Sequence, residues 1–273
     1  MLRAMQVYFS VLTYLSPKLA GKYAYNLWFQ PTRFKAPNRE EDAIQSAKVF
    51  FINIAGYSIK VWSWGEGPAV LFLHGWSGRG TQVASFMPSL VESGYRVISF
   101  DGPAHGESSG KSTDIFKYSA ILKAVIDQFG PWHAVITHSF GAMVFALTYD
   151  ESMDFKKFIF IAPPATMRTP FNHFQNLLKL SADVSKNMQD RLSGEYGRDI
   201  FDRVSVLQNI RKVNLPILVI HDEDDAVVPI SDSASISKAS QRVKFIKTQK
   251  LGHMKVLYHS SIVQRVVAFF GTG

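Results

Sequence analysis

From residue 69 to the C-terminus the chain alternates two hydrophobic periodicities, and that alternation limits the folds open to it. Short apolar, strand-like runs, "AVLFLHG", "YRVISFD", "HAVITHS", "KFIFIAPP", "PILVIHD" and "VKFIKTQ", are separated by stretches with helical spacing. The latter fall near Gln82 to Glu92, Thr113 to Phe129, from Phe140, in "ISDSASISKAS", and in "VLYHSSIVQRVVAFF" at the end. Strands buried on both faces read as unbroken apolar runs, and a strand-helix-strand repeat builds a parallel sheet. Upstream, "KVFFINIAGYSIKVWSWGEGP" reads as two strands joined at Ala55 and Gly56, an entry hairpin. The expected class is therefore α/β, a mostly parallel central sheet flanked by helices, with its core in residues 48–164 and 215–273. Residues 165–214, typified by "FNHFQNLLKLSADVSKNMQDRL", are helical and amphipathic without a clear strand. They are expected to form a small helical lid inserted before the last two strands.

Composition excludes several classes. With no cysteine among 273 residues, disulfides, thiolate chemistry and Cys-ligated metals are ruled out. The net charge of +8 invites a nucleic-acid reading, but like charges do not run in blocks and no base-reading basic helix is present, so no nucleic-acid partner is expected. No GxxxxGK[ST] pattern occurs, and "SGRG" is too short a glycine run for a phosphate cradle.

The positive charge gathers at one end. Residues 1–39 hold Arg3, Lys18, Lys22, Arg33, Lys35 and Arg39, no Asp or Glu, and eight aromatics including Tyr8, Phe9, Tyr14, Trp28 and Phe29. Two readings fit this leader: a membrane-surface helix, in which Lys and Arg attract anionic lipid, or an N-terminal helical extension (1–47) packed on the domain. The moderately apolar "AMQVYFSVLTYL" favours the second. A secretory cleavage site would need small residues where "SPKLAG" carries Lys18, and no stretch is long and apolar enough to span a bilayer. The expected location is the cytoplasm, with peripheral membrane contact through the leader as the variant reading.

Open parallel sheets bind ligands at the carboxyl ends of their strands. Here those ends are polar: "HGWSG" from His74, "DGPAHGES" from Asp101, "THSFGA" around Ser139, "HDEDDAVVP" from His221 and "KLGHMK" around His253. A serine, an acid and a histidine thus arrive in that chain order.

On these residues the chain resembles the α/β-hydrolase family from about residue 48 onward, as a serine esterase- or lipase-like member. That family sets its nucleophile on a strand-to-helix elbow, usually G-x-S-x-G, with acid and His following. "THSFG" matches with Gly141 in place and Thr137 at the first glycine position. The resemblance implies Ser139 as nucleophile, and His253, best placed of eight histidines, as its base. The family pattern G-x-x-D-x-x-V-P aligns with residues 222–229, making Asp225 the orienting acid, with Asp222 where glycine is usual and Asp224 an open substitute. Oxyanion donors would be the backbone N–H groups of Phe140 and Trp76. His74, Asp101, His105 and Ser108 match family residues that brace the site.

The implied activity is hydrolysis of a carboxylic ester through an acyl-enzyme, without cofactor or metal. Haloalkane dehalogenases and epoxide hydrolases carry Asp at the elbow, so Ser139 points away from both. Amide, thioester and C–C hydrolysis and cofactor-free perhydrolysis share the triad, a membrane-peripheral lipid esterase would combine it with the leader, and a non-catalytic binding member is the contrasting class. Trp76, His138, Phe171 and Phe174 are the candidate substrate-binding residues, with Leu177, Leu178 and Leu180 as further lid residues able to line an acyl pocket. A helix packing face would give the same spacing. The partner expected is a small-molecule ester.

Overall fold

The computed structural model describes residues 2–271. Its centre is an eight-stranded sheet: β1 (Lys48–Ile54), β2 (Tyr57–Trp64), β3 (Ala69–Leu73), β4 (Arg96–Phe100), β5 (Trp132–His138), β6 (Lys157–Ile161), β7 (Ile217–Asp222) and β8 (Val243–Thr248). The spatial order is β1-β2-β4-β3-β5-β6-β7-β8, antiparallel for β1-β2 and β2-β4 and parallel thereafter. The entry hairpin turns on Ala55 (φ 50°) and Gly56 (φ 81°), two consecutive positive-φ residues of the kind that match strand twist in a two-residue loop.

The unbroken apolar runs follow from burial on both faces. In β3, Ala69, Leu71 and Leu73 enter one core while Val70 and Phe72 enter the other, and β7 divides likewise, with Ile217 and Val219 opposite Leu218 and Ile220. Short helices α3 (Glu41–Ser46) and α4 (Met87–Glu92), with the C-terminal α13 (Ser260–Phe270), cover the second face. The first face receives α5 (Ile115–Phe129) and α6 (Phe140–Thr148). α11 (Ile230–Ala239) links β7 to β8, and α12 (Gly252–Lys255) follows β8. The helix expected near Gln82 to Glu92 is two pieces, a 3-10 segment Gly80–Ser85 and then α4. Pro88 lacks an N–H and fits only a helix's first turn, so the helix restarts just before it.

Between β6 and β7 run α7 (Arg168–Leu178), α8 (Ala182–Tyr196), α9 (Ile200–Arg203) and α10 (Val206–Asn209). They do not stand alone. The N-terminal helices α1 (Leu2–Leu15) and α2 (Pro17–Trp28) pack against them, α1 on α7 and α2 on α8. Ala20, Gly21 and Ala24 bring α2 close to α8; a Cβ on Gly21 would sit 2.6 Å from the Asn187 Cβ. Gln6 Nε2 donates to the Leu177 carbonyl (2.8 Å), and the Tyr25 hydroxyl pairs with Glu195.

Two charged residues tie the extension to the sheet. Arg33, which the sequence groups with the leader's cations, donates from its guanidinium to the carbonyls of Ala104, Gly106, Ser108 and Gly110, at 2.7–3.1 Å, and so holds the loop after β4. Buried Glu40 accepts two 2.6 Å bonds from Arg79 and a third from Thr81, clamping the loop after β3. Breaking one partner of a buried pair leaves an uncompensated charge, so Glu40→Gln should lower unfolding stability by about 3 kcal/mol. A urea-denaturation midpoint checks this; a loss within about 0.5 kcal/mol would place the pair among solvent-exposed ones.

Candidate active site

β5 lies between β3 and β6, so its carboxyl end opens at the middle of the sheet. The chain leaves it through Ser139, at φ 50° and ψ −120°, and enters α6 at once. Such a backbone costs roughly 1–3 kcal/mol and persists only where its surroundings fix it. Here the Ser139 N–H donates to the Ile161 carbonyl at the end of β6 (2.9 Å), and its own carbonyl accepts from Ala142 N–H (3.0 Å). α6 is buried from Phe140 through Phe145, which pins the other side of the turn. Gly141 must be glycine: a Cβ there would lie 2.6 Å from the Leu73 carbonyl oxygen and 2.8 Å from that of His74. Thr137, two residues before the serine, is buried within β5 with its hydroxyl 3.5 Å from the Ile159 carbonyl, so the β-branched side chain has room where the motif usually has glycine.

His253 comes from α12, the short helix that follows β8. Its Nδ1 is 2.7 Å from Asp225 Oδ2, and a carboxylate only accepts, so Nδ1 carries a proton and the neutral form of the ring holds its lone pair on Nε2. The other Asp225 oxygen accepts from the N–H groups of Val227 (2.8 Å) and Val228 (2.9 Å). Burial would raise the Asp225 carboxyl, but hydrogen bonds from His221 and His253 and the field of His253 hold it well below the usual carboxylate range. His221, wholly buried at the end of β7, lies 3.3 Å from Asp225 Oδ2 through Nε2, which also faces the Val228 carbonyl at 2.9 Å. Both of those partners only accept, so Nε2 is the protonated nitrogen and Ser233 donates to Nδ1 (2.6 Å).

The neighbouring acids have other duties. Asp224 accepts from Lys250 N–H (2.7 Å). Buried Asp222 binds Thr248 Oγ1 (2.7 Å) and the N–H groups of Asp224 (3.1 Å) and Gly252 (2.8 Å), which draws the ends of β7 and β8 together and sets His253 in place. Burial would raise its carboxyl, but those hydrogen bonds leave it below the ordinary value. Gly252 sits at φ 61°, in the left-handed region that favours glycine. Of this work by Asp222, the sequence shows only the departure from the usual glycine.

Ser139, Phe140, Trp76 and His253 all line one cavity of about 880 Å³, enclosed between the strand ends and the helices α1, α2, α7 and α8. Neither the Trp76 nor the Phe140 N–H has an acceptor among the described residues; Phe140 opens α6, where amides lack an intrahelical partner. The Trp76 ring packs edge-on against Phe140 and His105, both at 5.1 Å. His138 and Phe174 also line the cavity, but His138 Nε2 is committed to the His253 carbonyl (3.0 Å). Phe171 does not line it. It is buried between Trp28 (5.8 Å) and Phe201 (5.1 Å), because the helix's packing face, not its cavity face, carries that position. Leu177 and Leu178 reach the cavity and Leu180 does not. The sequence gives no sign of the contribution from the N-terminal extension, where Leu2, Met5, Leu27, Trp28 and Phe34 complete the apolar wall.

The remaining polar residues brace loops. His74 Nδ1 contacts the Gly75 carbonyl (2.7 Å) while Nε2 accepts from Gly102 N–H (2.9 Å) and Tyr118 (3.0 Å). Asp101 accepts from Gly80 N–H (2.7 Å) and Glu107 N–H (2.8 Å), and Ser108 donates to the Asp101 carbonyl (2.6 Å). The His105 Nδ1 lies 2.9 Å from the Pro103 carbonyl.

A family model, the alpha/beta hydrolase family, matches residues 70–268. The chain is 26% identical over 218 residues to a non-heme haloperoxidase of Rhodococcus erythropolis, covering 63% of this chain and 80% of that one. It is 25% identical over 232 residues to the bifunctional esterase/perhydrolase DCH of Acinetobacter calcoaceticus, covering 68% and 83%. Among solved structures, Est1E of Butyrivibrio proteoclasticus, determined with ferulic acid bound, superposes with TM-score 0.62 at 19% identity, over 81% of this chain and 96% of that one.

Three buried histidines tie stability to pH. Burial first, and then neighbouring basic groups (His105 for His74, Arg33 for His105, His253 for His138), lowers His74 well below its ordinary range, His105 to about 4 and His138 to about 3. Between about pH 6.5, where unfolded histidines protonate, and about pH 4, the unfolded chain binds protons that the folded chain refuses. Unfolding free energy should therefore fall on acidification by up to about 1.4 kcal/mol per pH unit for each of them. Urea titrations at neutral and mildly acid pH read the slope, and His105→Gln should flatten it; an unchanged slope in that variant would remove His105 from the account.

Proposed function

Because the chain belongs to the alpha/beta hydrolase family, we propose that it is a serine hydrolase that cleaves carboxylic esters through an acyl-enzyme. The observation that carries this reading is the Asp225–His253 hydrogen bond together with the strained backbone of Ser139, both His253 and Ser139 lining one apolar cavity. A serine hydroxyl is a weak nucleophile at its free pKa and needs an oriented base. With Nδ1–H held by Asp225, His253 presents Nε2 to take the Ser139 proton as Oγ attacks the ester carbonyl. The oxyanion that forms accepts hydrogen bonds from the N–H groups of Phe140 and Trp76, each such donor being worth about 3 kcal/mol in acyl transfer generally. His253 then returns the proton to the departing alcohol, and the acyl group stays on Ser139. Water, deprotonated by the same Nε2, attacks the acyl-enzyme, and the carboxylic acid leaves as the hydroxyl of Ser139 is restored.

The cavity supports a bulky apolar acyl or alcohol group, since Phe174, Leu177 and Leu178 face it together with side chains of the N-terminal extension. Helices α7–α10 and the N-terminal helices would then act jointly as the lid. A second reading, perhydrolysis, is favoured by the esterase/perhydrolase among the relatives. Hydrogen peroxide would intercept the same acyl-enzyme in place of water, releasing a peracid and free Ser139.

Hydrolysis of p-nitrophenyl esters tests the reading. The wild-type rate should rise from acetate to octanoate; Ser139→Ala should lose about 10⁶-fold in kcat, and Asp225→Asn about 10⁴-fold, because the amide no longer fixes the tautomer of His253. Wild-type activity that survives in Ser139→Ala would refute the assignment. Peracid formation on adding peroxide would favour the second reading.

A further inference from the structure

The first helix has two apolar faces. Phe9 is buried, and Met5 and Leu12 pack beside it on the core. On the opposite side Val7, Tyr8, Val11, Tyr14 and Leu15 fall at helical spacing on one stripe, with exposures of 63%, 47%, 55%, 91% and 72%. An amphipathic surface helix would place polar side chains there. The stripe continues onto α2: the rings of Tyr8 and Tyr23 meet at 6.4 Å, and Leu19 is exposed one turn before Tyr23. Three exposed cations, Arg3, Lys18 and Lys22, lie on the same two helices, and residues 1–39 hold no acid.

We infer that the outer face of α1 and α2 docks this protein on an anionic lipid bilayer. Charge decides the occupant. A second copy seated on this patch by two-fold symmetry would bring Arg3, Lys18 and Lys22 near their own counterparts, whereas an anionic headgroup layer neutralises them. The side chains match an interface as well, since Val and Leu enter the acyl boundary while tyrosine rings, apolar with one polar tip, sit at headgroup depth.

The core-facing side of α1 is a separate surface: Leu2 and Met5, which share the face of Phe9 at helical spacing, line the cavity that holds Ser139, and the outward stripe forms no part of its wall. The docking therefore does not rest on the hydrolase reading.

Co-sedimentation with phosphatidylcholine vesicles, with and without phosphatidylglycerol, tests the docking. The wild-type chain should pellet with the phosphatidylglycerol vesicles. Val11→Glu combined with Leu15→Glu should leave it in the supernatant. Lys18→Gln combined with Lys22→Gln should weaken binding by about 25-fold, at about five-fold per charge. Both pairs should hydrolyse a soluble short-chain ester at the wild-type rate, and Ser139→Ala should pellet like wild type, so loss of catalysis and loss of docking are read separately. Equal supernatant fractions for wild type and the Glu pair, or binding indifferent to phosphatidylglycerol, would overturn the proposal. Light scattering that shows a dimer dissociated by the Glu pair would overturn it too, by assigning the stripe to a second copy.

Discussion

The backbone of Ser139 is the constraint on which the site depends. A non-glycine residue at φ 50° is unfavourable by itself, and its surroundings over-determine it: the neighbouring strand β6 takes its N–H, α6 is buried immediately after it, and β3 lies close enough to forbid a side chain at position 141. The same crowding acts from the loop after β3, where a Cβ on Gly75 would lie 3.1 Å from the Ser139 Cβ. The proposed nucleophile and one proposed oxyanion donor, Phe140, are thus consecutive residues held by the same packing. Movement of either α6 or the loop after β3 would disturb both.

A division of labour between two carboxylates sets the other half of the site. Asp225 is the inner acid, sharing one oxygen between His253 and His221 and giving the other to two backbone amides. The Asp222 carboxylate hydrogen-bonds to no histidine among the described residues. It ties the β7 and β8 ends and the Gly252 amide together, so His253 begins from a fixed point. His253 is also met by His138, whose Nε2–H reaches its carbonyl. These contacts hold the imidazole from its main chain as well as from its ring.

The N-terminal extension belongs to this architecture and is not an appendage. Through Glu40 it holds the loop that carries Trp76, through Arg33 it holds the loop after β4, and through α1 and α2 it walls the cavity. The cavity's size and apolar character therefore arise from two segments far apart in sequence, each of which covers apolar surface on the other.

Periodicity made the fold legible: strands buried on both faces are continuously apolar, and that pattern is local. The order of polar strand ends made Ser139, Asp225 and His253 legible as nominees, because a parallel sheet puts all those ends on one edge. Other features could not be read locally. Phe171 and Phe174 lie three residues apart on one helix, and only packing against Trp28 and Phe201 decides that the first is core while the second lines the cavity. Arg33 reads as one more cation in a basic leader until the carbonyls of residues 104–110 converge on it. The choice of Asp225 over Asp224 rests on where β8 delivers His253. The sequence by itself determined the elements, their sheet and the chemical types at its edge, since these follow from near-neighbour patterns. Tertiary structure alone decided which acid meets the histidine, which aromatic faces the cavity and which cations face solvent, since each depends on residues brought together from distant parts of the chain.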